Sequence, residues 1–114
     1  MGNRRKELLS VPKRKWNEVI KNAVGVYVIP SGRKHDSGWA CMDFVAELAN
    51  GSKIRFGGGC DDVSFFGSKF RMDCEYPSRI IHIWNSRGMF AITHDVSSID
   101  FVEDNGNITN RSLS

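Results

Sequence analysis

The residues of this chain with the widest chemical repertoire are three cysteines, Cys41, Cys60 and Cys74, and three histidines, His35, His82 and His94. They could make a metal site, a nucleophile–base pair or a disulfide framework, and spacing separates these chemistries. A structural zinc site gathers its ligands in close pairs such as C-x₂-C, because one turn then aims two side chains at the ion. No such pair occurs here, so only long-range pairing could bring Cys41, Cys60, Cys74, His82 and His94 around a metal. No metal and no cofactor is expected. An odd cysteine count without close pairs also argues against a secreted disulfide scaffold. The reading is three reduced thiols packed as small core side chains in a cytoplasmic protein.

A catalytic cysteine needs a stabilised thiolate and an oriented base. Cys60 is followed by Asp61 and Asp62, whose charges oppose thiolate formation. His35-Asp36 and His94-Asp95 are adjacent in sequence, but neighbours on a strand point to opposite faces, so adjacency does not make a dyad. Asp43, Glu47, Asp61 and Asp62 could supply a metal nuclease only if the fold gathered them. The triplet Gly57-Gly58-Gly59 lacks the Lys and Ser/Thr of a phosphate loop and runs into two carboxylates. It reads as a bulge or wide turn leaving a strand. A small enzyme using His and Asp side chains is therefore the third of three function classes, and no catalytic residue is assigned.

Charge points to binding. Residues 1–21 carry seven basic side chains (Arg4, Arg5, Lys6, Lys13, Arg14, Lys15 and Lys21) against Glu7 and Glu18, a net +5, while the remaining residues carry nine basic and eleven acidic, a net −2. Such a segment can follow a phosphate backbone or an acidic protein surface. Elsewhere Arg55, Lys69, Arg71, Arg79 and Arg87 are interleaved with Phe56, Phe66, Phe70, Tyr76 and Trp84. Strand phase sets Phe56 and Phe70 opposite Arg55 and Arg71, which makes those two aromatics core. Trp39, Tyr27 and Trp84 are then the candidates for exposed aromatics. With Arg87 they form the candidate partner-binding set, since Trp, Tyr and Arg are enriched at interfaces.

These side chains must be positioned by a chain of 114 residues with 40% hydrophobic and 25% charged residues, an ordinary globular composition. A domain of this size buries roughly two thirds of its unfolded surface and needs neither metal nor disulfide for a core. No apolar run approaches the roughly 20 residues of a membrane span, and the basic N-terminal stretch lacks the apolar region of a secretory signal. Residues 1–10 read as a flexible basic lead. Over 11–22, Pro12 suits a first helical turn, and Trp16, Val19, Ile20 and Ala23 fall on one helical stripe, which predicts a helix.

From Val24 onward the period becomes two. Strands are expected at about 24–29, 39–49, 52–57, 68–76, 79–84, 89–94 and 97–102, with a polar, fraying tail over 103–114. The segment 39–49 is compatible with strand or helix. Asn50-Gly51 followed by alternating Lys53, Ile54, Arg55 and Phe56 favours a hairpin. The fold class is α+β: a bent, mostly antiparallel sheet or small open barrel of about six strands with one N-terminal helix, in a single domain over 11–102. The function expected is a non-enzymatic binding module whose partner is a protein, in an interacting, inhibitory or self-associating role. Nucleic-acid binding through residues 4–21 is the alternative. No membrane association is expected.

Overall fold

Alternation decides the local structure. On one strand Phe70, Met72 and Cys74 are buried while Arg71 and Glu75 are exposed, so one face seeks a core and the other meets water. The computed structural model describes residues 9–10, 23–60, 62–67, 69–75, 80–95 and 97–111. These residues form ten strands: β1 (Leu9–Ser10), β2 (Ala23–Lys34), β3 (Ala40–Leu48), β4 (Lys53–Gly59), β5 (Val63–Phe66), β6 (Phe70–Glu75), β7 (Ile80–Asn85), β8 (Gly88–Thr93), β9 (Asp100–Glu103) and β10 (Ile108–Asn110).

The strands sort into two sheets, ordered β1-β4-β3-β2-β9-β10 and β5-β6-β7-β8. All pairings are antiparallel except that of the short β1 with β4. Val26, Val28, Met42, Phe44, Phe56 and Val102 of the first sheet share one buried cluster with Phe65, Phe70, Met72, Ile81 and Ile83 of the second. Phe56 spans the layers, its ring centroid 4.8 Å from that of Phe65. Each such side chain contributes about 1.5–3 kcal/mol by leaving water.

The α+β class is overturned: the described residues contain no helix and the fold they make is all-β. The expected helix over 11–22 lies outside the described residues. The single bent sheet or barrel is overturned too, because both sheets are open. At the end of β4, Gly58 and Gly59 take φ values of 137° and 77°, backbone that L side chains rarely adopt. The chain leaves the first sheet there and β5 begins the second. After β8 it returns, and β9 pairs with β2 rather than extending the second sheet.

The tail is a further correction. Ile108–Asn110 pairs with β9, closed by Glu103 N–H donating to the Asn107 carbonyl at 2.8 Å, with Gly106 at φ 89° in the turn. Asn105-Gly106 is itself a hairpin signal, and Ile108, the one β-branched apolar residue there, packs against the main core.

The first sheet carries a second apolar layer on its far face, where Tyr27, Ile29, Val45 and Phe101 are buried together. Both faces of β2 and β3 are therefore covered, which is why these strands read as nearly continuous apolar runs. Gly25 is required by close approach: a Cβ there would lie 2.2 Å from Phe101 Cζ.

Candidate functional site

The outer face of the second sheet is built from the charged-out positions of its strands. Phe66 pairs with Arg71, Arg71 with Trp84, and Trp84 with Met89, so one residue from each of β5, β6, β7 and β8 stands in a single row across the whole sheet. The Arg71 guanidinium carbon lies 5.2 Å from the Phe66 ring centroid and 4.5 Å from that of Trp84. Each contact is a cation–π interaction of about 0.5–1 kcal/mol at an exposed site. Arg71 Nη2 also donates to Asp73 Oδ2 at 2.8 Å, which holds the planar fork over the rings.

The row is open to solvent. Phe66 is 53% and Met89 56% exposed, and Trp84 is half-buried. The next row pairs Asp73 with His82, and His82 with Ala91; the one after pairs Glu75 with Ile80. His82 lies against Trp84 with ring centroids 6.0 Å apart. The paired rows thus carry one fixed cation against two carboxylates, and their apolar content is concentrated beside Arg71.

The other sequence candidates are scattered. Trp39 is half-buried in the β2–β3 connection and stacks on His35 at 4.3 Å. Arg87 is exposed in the β7–β8 turn, where its Nη2 donates to Asn107 Oδ1, tying that turn to the β9–β10 connection. Tyr27 is not an exposed aromatic: it is 1% exposed. Its hydroxyl donates to Glu47 Oε1 at 2.7 Å, and Arg111 Nη2 donates to Glu47 Oε2 at 3.1 Å. Arg111 also covers the Phe101 ring at 4.4 Å. Burial and the neighbouring Glu47 carboxylate push the Tyr27 phenol up to about 12. Period two correctly sets Tyr27 opposite Val26 and Val28, but it cannot show that the far face is covered as well. The nucleic-acid candidates Arg4, Arg5, Lys6, Lys13, Arg14, Lys15 and Lys21 lie outside the described residues.

The chemistry of the cysteines and histidines is also placed. Cys41 and Cys60 are joined as a disulfide, with Cα atoms 5.1 Å apart, inside the usual bridging range. This replaces the expected three reduced thiols. The two cysteines meet because Met42 and Gly59 are register partners of the β3–β4 ladder, a proximity that a 19-residue separation hides in sequence. Cys74 remains free and buried, and desolvation, with Asp62 and Glu75 nearby, pushes its thiol up to about 12. His94 is buried, with Nδ1 2.9 Å from Asp100 Oδ2 and Nε2 without a hydrogen-bond partner among the described residues. His35, His82 and His94 thus sit in three separate environments. Asp43, one of the carboxylates considered for a metal nuclease, instead accepts from Arg55 Nη2 and the Gly59 amide, both at 3.2 Å.

Sequence reasoning named Trp84 and saw the Phe66 and Arg71 types, but it did not assemble the row or include Met89. The missing information was register across four strands. No family model, no curated protein and no solved structure matches this chain.

Proposed function

We propose that the protein is a non-enzymatic interaction module whose partner is a protein, docked on the row Phe66–Arg71–Trp84–Met89. The observation carrying this reading is the row itself: an arginine oriented between two aromatics, with a methionine beyond the second, on one sheet face in solvent. These are the residue types that dominate binding energy at protein interfaces, and a β-sheet holds them with little entropy left to lose. The charge of the face favours protein over nucleic acid. Within the paired rows Asp73 and Glu75 outnumber Arg71, so a phosphate backbone laid along them would meet carboxylates beside the guanidinium. The non-enzymatic part of the reading is supported by Cys74, a buried thiol held protonated, and by the dispersal of the histidines.

The test is selection of displayed protein fragments on the folded protein, run in parallel on Trp84→Ala and Phe66→Ala. Fragments retained by the wild type should be lost from both variants, while mixed-sequence DNA and RNA pass through at physiological salt. Retention of nucleic acid at that salt, with both variants capturing the same fragments as the wild type, overturns the reading.

A further inference from the structure

The four edges of the two sheets are treated unequally. In the first sheet β1 has two residues and β10 three, and in the second β5 has four. Short edges are a standard protection against strand pairing. Strand β8 has six residues, Gly88-Met89-Phe90-Ala91-Ile92-Thr93, with no charge and no proline. Five of the six are exposed, Met89 at 56% and Phe90 at 36%, and among the described residues nothing pairs with its outer edge.

The hairpin register defines which backbone groups are available. The turn over 86–87 closes at the Asn85–Gly88 pair, and Ile83 pairs with Phe90 and Ile81 with Ile92. In an antiparallel ladder, alternate pairs exchange hydrogen bonds. Gly88, Phe90 and Ile92 therefore bond inward to β7, and the amides and carbonyls of Met89, Ala91 and Thr93 point away from the sheet.

We propose that this edge pairs with β8 of a second copy of the chain, antiparallel and centred on Ala91, joining the two four-stranded sheets into one continuous sheet. In that register Met89 meets Thr93 of the second copy and Ala91 meets Ala91, so every outward amide and carbonyl finds a partner. Phe90 falls opposite Ile92, an aromatic against β-branched pair of the kind that stabilises sheets, and the exposed part of Phe90 is covered. The flanking charges, which keep their contacts to Asn107 and Ser97, favour a second copy in the antiparallel direction. Arg87 precedes the strand and Asp95 follows it. Antiparallel pairing brings opposite charges together at both ends, whereas parallel pairing would set like against like. The interface is isologous, so it closes as a dimer and does not propagate. The pairing uses the backbone edge of β8 and the docking reading uses side chains of the outer face; Met89 belongs to both, Phe66 and Trp84 only to the second.

Sedimentation equilibrium and amide hydrogen exchange on the full chain, from micromolar to sub-millimolar concentration, test it. The mass should rise from 12.8 kDa towards twice that value. The amides of Met89, Ala91 and Thr93 should gain protection as the mass rises, while those of Phe90 and Ile92 are protected throughout. Ala91→Pro removes an outward donor without touching the β7 ladder, as tolerated on edge strands. Ala91→Lys sets lysine against lysine across the two-fold and covers the case in which the proline variant does not fold. Each should raise the dimer dissociation constant at least about tenfold. Trp84→Ala and Phe66→Ala should dimerise like the wild type, which separates failure of this proposal from failure of the docking reading. The proposal is overturned by a wild type that stays monomeric, by a dimer in which the three outward amides still exchange freely, or by folded Ala91 variants that dimerise unchanged.

Discussion

The Arg71 guanidinium sits 4.5 Å from the centre of the Trp84 ring, across the β6–β7 ladder and in the same residue row. Neither residue is near the other in sequence. Their contact depends on a register that the buried partners set, since Met72 opposite Ile83 and Cys74 opposite Ile81 lie on the core face of the same two strands. A slip of one residue would carry Arg71 into the core, so the core specifies the outer face.

If the row is a docking surface, its members matter more to binding than to stability. Phe66→Ala should change stability by less than about 1 kcal/mol, because the side chain is mostly in water. It should weaken a selected protein ligand by about 1 kcal/mol or more, and Trp84→Ala, nearer the middle of the row, by about 2 kcal/mol. Arg71→Lys keeps the charge but loses the planar stacking group. It should weaken the same ligand measurably, with chemical denaturation reporting stability and calorimetric titration reporting affinity.

On the opposite face of β6, Met72 is fully buried. Met72→Ala should cost about 2–5 kcal/mol in urea denaturation, as truncations of buried methionine do. A cost under about 0.5 kcal/mol, the level of surface substitutions, would show that the strand is not in the core.

The Cys41–Cys60 link closes a loop of 19 residues. On the chain-entropy relation such a loop is worth about 3 kcal/mol. The double variant Cys41→Ala/Cys60→Ala should lower stability by that order, and thiol titration of the unfolded, unreduced wild type should find Cys74 as the only reactive group. Three reactive thiols before reduction would contradict the pairing.

Alkali should destabilise the fold. The Tyr27 phenol is raised from 10.0 and the Cys74 thiol from 9.0, each to about 12. In this window the unfolded chain releases these protons and the native one keeps them. Stability is therefore intact below pH 9 and falls as pH rises towards 12. Tyr27→Phe and Cys74→Ala together should flatten that fall, read as unfolding midpoints against pH. In the wild type, phenolate absorbance should show one tyrosine ionising late.

Legibility varied with the range of the interactions. Asn50-Gly51 announces a turn and, with alternation on either side, a hairpin; the folded chain has Gly51 at φ 89° there and Ser52 N–H donating to Asn50 Oδ1 at 2.9 Å. The similar Asn105-Gly106 lies in a polar stretch with little alternation to mark a strand, and two of its anchoring contacts, Ile108 on the main core and Arg111 on Glu47, appear only in the folded chain.

The sequence by itself determined which side of β4 and of β6 is apolar. Phe56, Phe70, Met72 and Cys74 are inside, and Arg55 and Arg71 are on the opposite sides, because period two follows from the geometry of an extended chain and needs no partner. Only the tertiary structure decided that the strands make two stacked open sheets, that Tyr27 is covered, that Cys41 meets Cys60, and that Phe66, Arg71, Trp84 and Met89 share a row. Each of these depends on which strands pair and in what register. That choice is made by the joint burial of residues far apart in the chain, and no local pattern encodes it.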